Sequence, residues 1–118
     1  MEIRYPQRGE IWLVNLDPTI GAEIKKIRPA LIISNDRNNQ YALTVTIIPI
    51  TDHGQKVYPF HVALPIPSPG LTKDSKIKCE HIRTVDKIRL VKFLGSVSSE
   101  ILEQTEQALS IHLGINFT

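Results

Sequence analysis

One cysteine, Cys79, is all the thiol chemistry that 118 residues offer. An internal disulfide is excluded, and the lone thiol suits a reducing compartment, the cytoplasm. Metal ligands are equally sparse. His53, His61, His81 and His112 show no ligand spacing, and Cys79 with His81 puts only two candidate ligands on one strand face. A buried cysteine beside a core or site histidine is the plainer reading of that pair. There is no glycine-rich phosphate loop and no Gly-x-Ser-x-Gly elbow. No metal and no nucleotide cofactor are therefore expected. No apolar run approaches the length needed to span a bilayer, and Met1-Glu2-Ile3-Arg4-Tyr5-Pro6 lacks the apolar centre of a secretory signal. A soluble, cytoplasmic protein is the expectation. Internal repeats, low-complexity tracts and convincing linkers are absent too, which leaves a single domain over residues 1–118.

What is present begins with charge. The formal net charge is only +2, but it is unevenly spread. Residues 98–118 hold Glu100, Glu103 and Glu106 and no Lys or Arg, so the rest of the chain carries a net +5. A basic body with an acidic tail is compatible with a polyanionic partner without requiring one.

The stretch from Lys25 to Asp36 organises the chain. Lys25, Lys26 and Arg28 lead into Pro29, then the apolar run Ala30-Leu31-Ile32-Ile33, then the polar stop Ser34-Asn35-Asp36. So short a run between such punctuation reads as a buried strand, with Pro29 at a strand start where its missing N–H costs no ladder bond. Arg28 then sits at the mouth of that strand, and its permanent charge needs a partner. Internal carboxylate or phosphate both remain open at this level.

Around it, Glu10–Leu16 reads as a strand with apolar residues on both faces, Trp12, Val14 and Leu16 on one and Ile11 and Leu13 on the other. The segment Asp17–Lys26 is long and charged for a hairpin, which leans toward a functional loop. Asn35–Asn39 is turn chemistry or one helical turn. Leu43–Thr51 is β-branched and reads as a strand, with Pro49 marking an edge, bulge or end. Tyr58–Leu64 is another, with His61 on its solvent side, and Pro65–Gly70 is a stiff connection. Lys76–His81 alternates, and Ile82 breaks the alternation, so a bulge is expected near Glu80–Ile82. Asp86–Arg89 reads as a tight turn and Val91–Gly95 as a last short strand.

From Ser98 the period becomes helical. Ile101, Leu102, Thr105, Ala108, Leu109, His112 and Leu113 form one stripe, Ser98 is the N-cap, Val97 and Leu102 stand at staple spacing, and Gly114 is the stop. His112 fits a packed or half-exposed helix-end position. The fold class is thus mainly β with a C-terminal helix (α+β), five to seven short strands curling into a small, partly open barrel.

Three concentrations of polar residues remain: Lys25, Lys26 and Arg28; Thr51 and His53; and Glu80, His81 and Arg83. Metal-free RNA cleavage requires help in removing a 2′-OH proton, cations on the phosphorane and a proton for the 5′ oxygen. These residue types supply such parts. On composition alone, scattered surface charge explains them as well.

Four blocks in order carry a resemblance. Arg8-Gly9-Glu10-Ile11-Trp12 with Leu16–Glu23, Arg28–Asp36, Ile48-Pro49-Ile50-Thr51, and Glu80–Leu90 resemble the MazF/PemK family of toxin endoribonucleases, with Gly95 and the helix next in order. The resemblance implies a homodimeric SH3-like barrel and metal-independent, sequence-specific cleavage of single-stranded RNA to 2′,3′-cyclic phosphate and 5′-OH ends. It also implies inhibition by a cognate antitoxin encoded nearby. By motif position Arg28 is the catalytic arginine and Thr51 its partner. The loop Asp17–Ile27, with Glu23, Lys25 and Lys26, gates or contacts RNA, and Glu80 and His81 line a base-reading groove. Family members commonly carry Gln at position 81, so His81 either alters sequence preference or adds an acid/base group. Two rivals share the fold or its charge pattern: a gyrase poison acting by binding, and a non-catalytic SH3-like interaction module.

Overall fold

Two adjacent strands carry the apolar weight of the molecule. The computed structural model describes residues 5–18, 20–23, 26–52 and 56–115. In chain order the elements are β1 (Glu10–Asn15), β2 (Ile27–Ile32), α1 (Asp36–Tyr41), β3 (Thr44–Asp52), β4 (His61–Leu64), β5 (Ser75–Lys78), β6 (Arg83–Asp86), β7 (Leu90–Ser96) and α2 (Ser99–Leu113), with short 3-10 turns at Cys79–His81 and Lys87–Arg89. All pairings are antiparallel. The sheet runs β4-β5-β3-β2-β1-β7, and β6 also pairs with β3.

Because β2 and β3 are apolar on both faces, they feed two cores. Leu31, Ile33, Ile48 and Ile50 join Ile11, Val62, Leu64, Ile77, Cys79 and Ala108 in one, against which Ile101, Leu102 and Leu109 of α2 pack. Ala30, Ile32, Val45 and Ile47 join Val14, Leu16 and Val85 in the other, flanked by Trp12 and Leu90. Each fully buried Ile contributes about 1.5–3 kcal/mol of apolar burial. The expected split of β1 between two faces is also seen, with Ile11 in the first core and Trp12, Val14 and Leu16 in the second.

Pro49 lies inside a nine-residue strand, and the ladder explains how. On one edge β3 pairs with β2, through Ala30↔Pro49 to Ile32↔Ile47. On the other edge it pairs with β6 up to Ile47 and with β5 from Ile50 onward. The Thr46 carbonyl accepts from Ile33 N–H, so by alternation the Pro49 nitrogen faces the second edge. It falls in the gap between the two partners, where no ladder bond is lost.

Several expectations shift. The Tyr58–Leu64 strand shortens to His61–Leu64, because the chain turns at Pro59–Phe60 and His61 N–H bonds back to the Tyr58 carbonyl at 2.8 Å. His61 is not on the solvent side. It is 7% exposed, covered by Glu80 and by the rings of Tyr58 and Phe60. The irregularity near Glu80–Ile82 is real but is a 3-10 turn beginning at Cys79. Strand alternation therefore stops before His81. The four-residue β6 falls where the sequence pattern assigns no element, running into the first residue of the expected Asp86–Arg89 turn. At the far end Ser98 caps α2 by accepting from Ile101 N–H, and Gly114 closes it at φ 70°, both as expected.

Gly95 has a stricter role. It sits at φ 151° beside a register shift in β1–β7 pairing, and a Cβ there would collide with the Pro69 ring. Gly95→Ala should destabilise the protein by about 1–3 kcal/mol, the usual cost of overpacking, read as a lower urea midpoint with unchanged m-value. An unaltered midpoint would show that the Pro65–Gly70 connection yields freely.

Candidate active site

Arg28 lies inside β2 as its second residue, opposite Val14 of β1, and not at the mouth of a strand that starts at Pro29, because pairing with β1 carries the ladder back to Ile27. Pro29 opens the apolar run that anchors β2, and extending the β2–β3 register past Ala30↔Pro49 sets Arg28 opposite Thr51. The two residues line one cleft together with Asp52, Thr72, Lys73 and Ser75. Arg28 is exposed, and among the described residues it has no carboxylate partner. The carboxylates of Glu23 and Glu80 are engaged elsewhere. Glu23 lies 3.9 Å from Arg83, and Glu80 is bound to His61. The cleft thus offers an unneutralised guanidinium beside hydroxyl groups, a combination suited to a tetrahedral oxyanion.

A second cleft adjoins the first along β3. Pro49, two residues before Thr51, lines it with Glu23, Glu80, His81, Ile82 and Arg83. The 3-10 turn presents Glu80 and His81 there in place of the flat edge of a strand. Burial opposes ionisation of Glu80. The hydrogen bond from His61, with its own backbone N–H and the charge of Lys78, outweighs burial and holds the carboxyl below its ordinary value. Burial lowers His81, Lys78 and His61 add to that, and the carboxylates of Glu80 and Glu23 offset it only in part. A neutral imidazole at physiological pH offers one donor and one acceptor to a base edge.

The loop Asp17–Ile27 is tied at its stem. Lys26, at φ 71°, donates its N–H to Asp17 Oδ1 at 2.9 Å, and its carbonyl accepts from Leu16 N–H at 3.0 Å. Arg89 Nη1 donates to the carbonyls of Asn15 and Asp17, and Arg83 Nη1 to that of Leu16 at 3.4 Å. Arg83, grouped with Glu80 and His81 by sequence, thus doubles as a tether for the loop.

The structure brings Arg28 together with Thr51, and Glu23 with Glu80 and His81. Lys26 is at the loop stem, exposed. Lys25 and His53 lie outside the described residues. Sequence reasoning misses Thr72, Lys73 and His61. The only local signal for the first two is the polar stretch after Gly70, and His61 carries none. Cys79 is fully buried, and burial together with the Glu80 charge pushes its thiol up to about 12. Among the described residues no three His, Cys, Asp or Glu side chains come together as a metal site, and no helix is long and apolar enough to cross a membrane.

Residues 7–113 match the family of PemK-like, MazF-like toxins of type II toxin–antitoxin systems. The chain belongs to that family. The curated endoribonuclease MazF9 of Mycobacterium tuberculosis is 42% identical over 114 residues, 92% of this chain and 97% of that protein. The crystal structure of MazF from Deinococcus radiodurans, 27% identical, aligns with a TM-score of 0.82 over 95% of this chain and 99% of its own. A MazE–MazF crystal structure from the same organism aligns at 25% identity and a TM-score of 0.75, over 95% and 99%. The mainly β fold with a C-terminal helix is the fold of these MazF proteins.

Two measurements check the electrostatics of this MazF-like site. Glu80 is depressed in the folded state, so the stability it contributes is present above its ordinary value of 4.5 and is lost as pH falls through the folded value. The Tm gap between wild type and Glu80→Gln should narrow on acidification below about pH 4.5; a gap constant with pH would contradict the assignment. Cys79 should resist iodoacetamide in native protein at pH 8 and react promptly in urea. Rapid native labelling would mean that the core beneath α2 opens.

Proposed function

We propose that this chain is a sequence-specific endoribonuclease toxin that cuts single-stranded RNA without a metal. The observation that carries this reading is the pairing of an unneutralised Arg28 with Thr51 in one cleft, beside a second cleft rich in acceptors and ring nitrogens. The substrate's 2′-OH attacks the adjacent phosphorus, and Arg28 clamps two non-bridging oxygens of the phosphorane bidentately. Thr51 donates its hydroxyl to the developing charge; solvent takes the 2′-OH proton as the P–O2′ bond forms and returns one to the 5′ oxygen as the P–O5′ bond breaks. The products carry 2′,3′-cyclic phosphate and 5′-OH ends. Arg28 acts as an electrostatic clamp because a guanidinium does not give up its proton. Glu23, Lys25, Lys26, Glu80 and His81 contact the RNA on either side of the scissile phosphate, with Glu80 and His81 facing a base.

The assembly belongs to the same reading. A cytoplasmic homodimer is proposed, supported by Ile111, Leu113 and Ile115, which are 56%, 49% and 49% exposed at the end of α2. An antitoxin protein is the proposed inhibitor, supported by the MazE-bound relative.

Incubation of purified, antitoxin-free protein with a long single-stranded RNA in EDTA tests the activity. Discrete cuts are expected, with Arg28→Ala slower by about a hundredfold or more and Thr51→Val by about tenfold to a hundredfold, at unchanged Tm. Arg28→Lys should recover little, since it keeps charge and loses the fork. Intact RNA from folded wild type would favour a toxin that acts by binding alone.

A further inference from the structure

His61 has no place in the cleavage reaction, yet its ring is fixed from every side. Its side chain is 2% exposed. Nδ1 accepts from the Tyr58 N–H at 3.2 Å, and Nε2 meets both Glu80 oxygens at 2.9 and 3.0 Å. The rings of Phe60 and Tyr58 pack edge-on against it, with centroids at 4.7 and 5.5 Å. With Nδ1 occupied as an acceptor, the hydrogen must sit on Nε2, so His61 donates and Glu80 accepts. One donor shared by both oxygens fixes the carboxylate plane, and Glu80 lines the cleft of Pro49, His81 and Arg83 with further acceptor capacity.

We propose that His61 is a positioning residue for base selection, locking Glu80 as an acceptor-only reader that favours a base with an exocyclic amino group, adenine or cytosine. This deepens the RNA-cleaving reading and rests on it. A carboxylate held in this way accepts from adenine N6 or cytosine N4 and repels the carbonyl of uracil O4. An unanchored Glu80 could rotate, or take up a proton and donate, and the distinction would blur. The charged and titratable groups facing the pair are Lys78, opposite His61 in the β4–β5 ladder; Cys79 and His81, on either side of Glu80; and, from α2, His112, whose ring is tilted against Phe60 at 6.4 Å. Glu23 bears on His81 from the loop side. None of them touches Nδ1.

His61→Phe keeps the aromatic packing and removes both nitrogens, and two readouts test it. In carbon-detected NMR titration, the Glu80 carboxyl should titrate at higher pH in His61→Phe than in wild type, and His61→Gln, which restores a donor, should move it back. In cleavage of an oligonucleotide panel varied through the wild-type cut word, one position should prefer adenine or cytosine over hypoxanthine or uracil by at least about fivefold. That preference should fall in His61→Phe and in Glu80→Gln, with no further loss in the double variant. An unshifted Glu80 titration, or an unchanged preference in folded His61→Phe, would overturn the proposal. Should His61→Phe not fold, nitrogen-15 NMR of the wild type decides: Nε2–H is required, and an Nδ1–H tautomer contradicts it. If wild type leaves RNA intact, the cleavage reading fails, and the titration and tautomer still settle whether His61 positions Glu80.

Discussion

Both candidate clefts depend on a single strand changing neighbours halfway along its length. β3 pairs with β2 on one edge, but on the other it passes from β6 to β5 across Pro49. A residue able to donate at position 49 would have to place its N–H in a gap without a strand opposite. Proline removes that demand, and the 3-10 turn Cys79–His81 occupies the gap. The turn then delivers Glu80 and His81 to one side of Pro49, while the end of β3 delivers Thr51 to the other. The proximity of the two clefts is a consequence of ladder geometry.

The same arrangement explains how a cation can stand unneutralised beside an apolar core. Ala30, Leu31 and Ile32 are fully buried, and they fix the backbone of β2 close behind Arg28. Carboxylates that could quench the guanidinium are held by others: Asp52, in the same cleft, by Lys73 at 3.8 Å, Glu23 by Arg83 and the Ile20 N–H, and Glu80 by His61. Exposed ion pairs such as Glu23–Arg83 add about 1 kcal/mol or less to stability. Their value here lies in engaging the carboxylates around the phosphate cleft and in tethering the loop stem above it. The acidic α2 stands apart, with Glu106 bound to Arg8 at 2.7 Å.

How much can be read from sequence depends on how local each determinant is. The α2 boundaries are legible because Ser98 and Gly114 act within one turn of themselves. The buried run Ala30–Ile33 is legible because burial on both faces leaves no alternation to misread. His61 reads wrongly as solvent-facing because its cover comes from Glu80, 19 residues away, and from a turn that strand periodicity does not foresee. Four-residue β6 offers one buried side chain, Val85, too little for a pattern. Arg28 and Thr51 meet through a register 23 positions apart, which residue types alone do not specify; only the resemblance of the two blocks joins them beforehand. Thr72 and Lys73 reach the cleft from a connection with no periodicity at all.

The central claim is that one RNA strand crosses β3 with a phosphate at Arg28 and Thr51 and a base at Glu80 and His81. A crystal structure with a single-stranded oligonucleotide carrying a 2′-deoxy nucleotide at the cut site tests it most directly. The account predicts a phosphate within hydrogen-bond distance of the Arg28 guanidinium and the Thr51 hydroxyl, and a neighbouring base edge against Glu80. An oligonucleotide seated elsewhere, with water alone at Arg28, would contradict it.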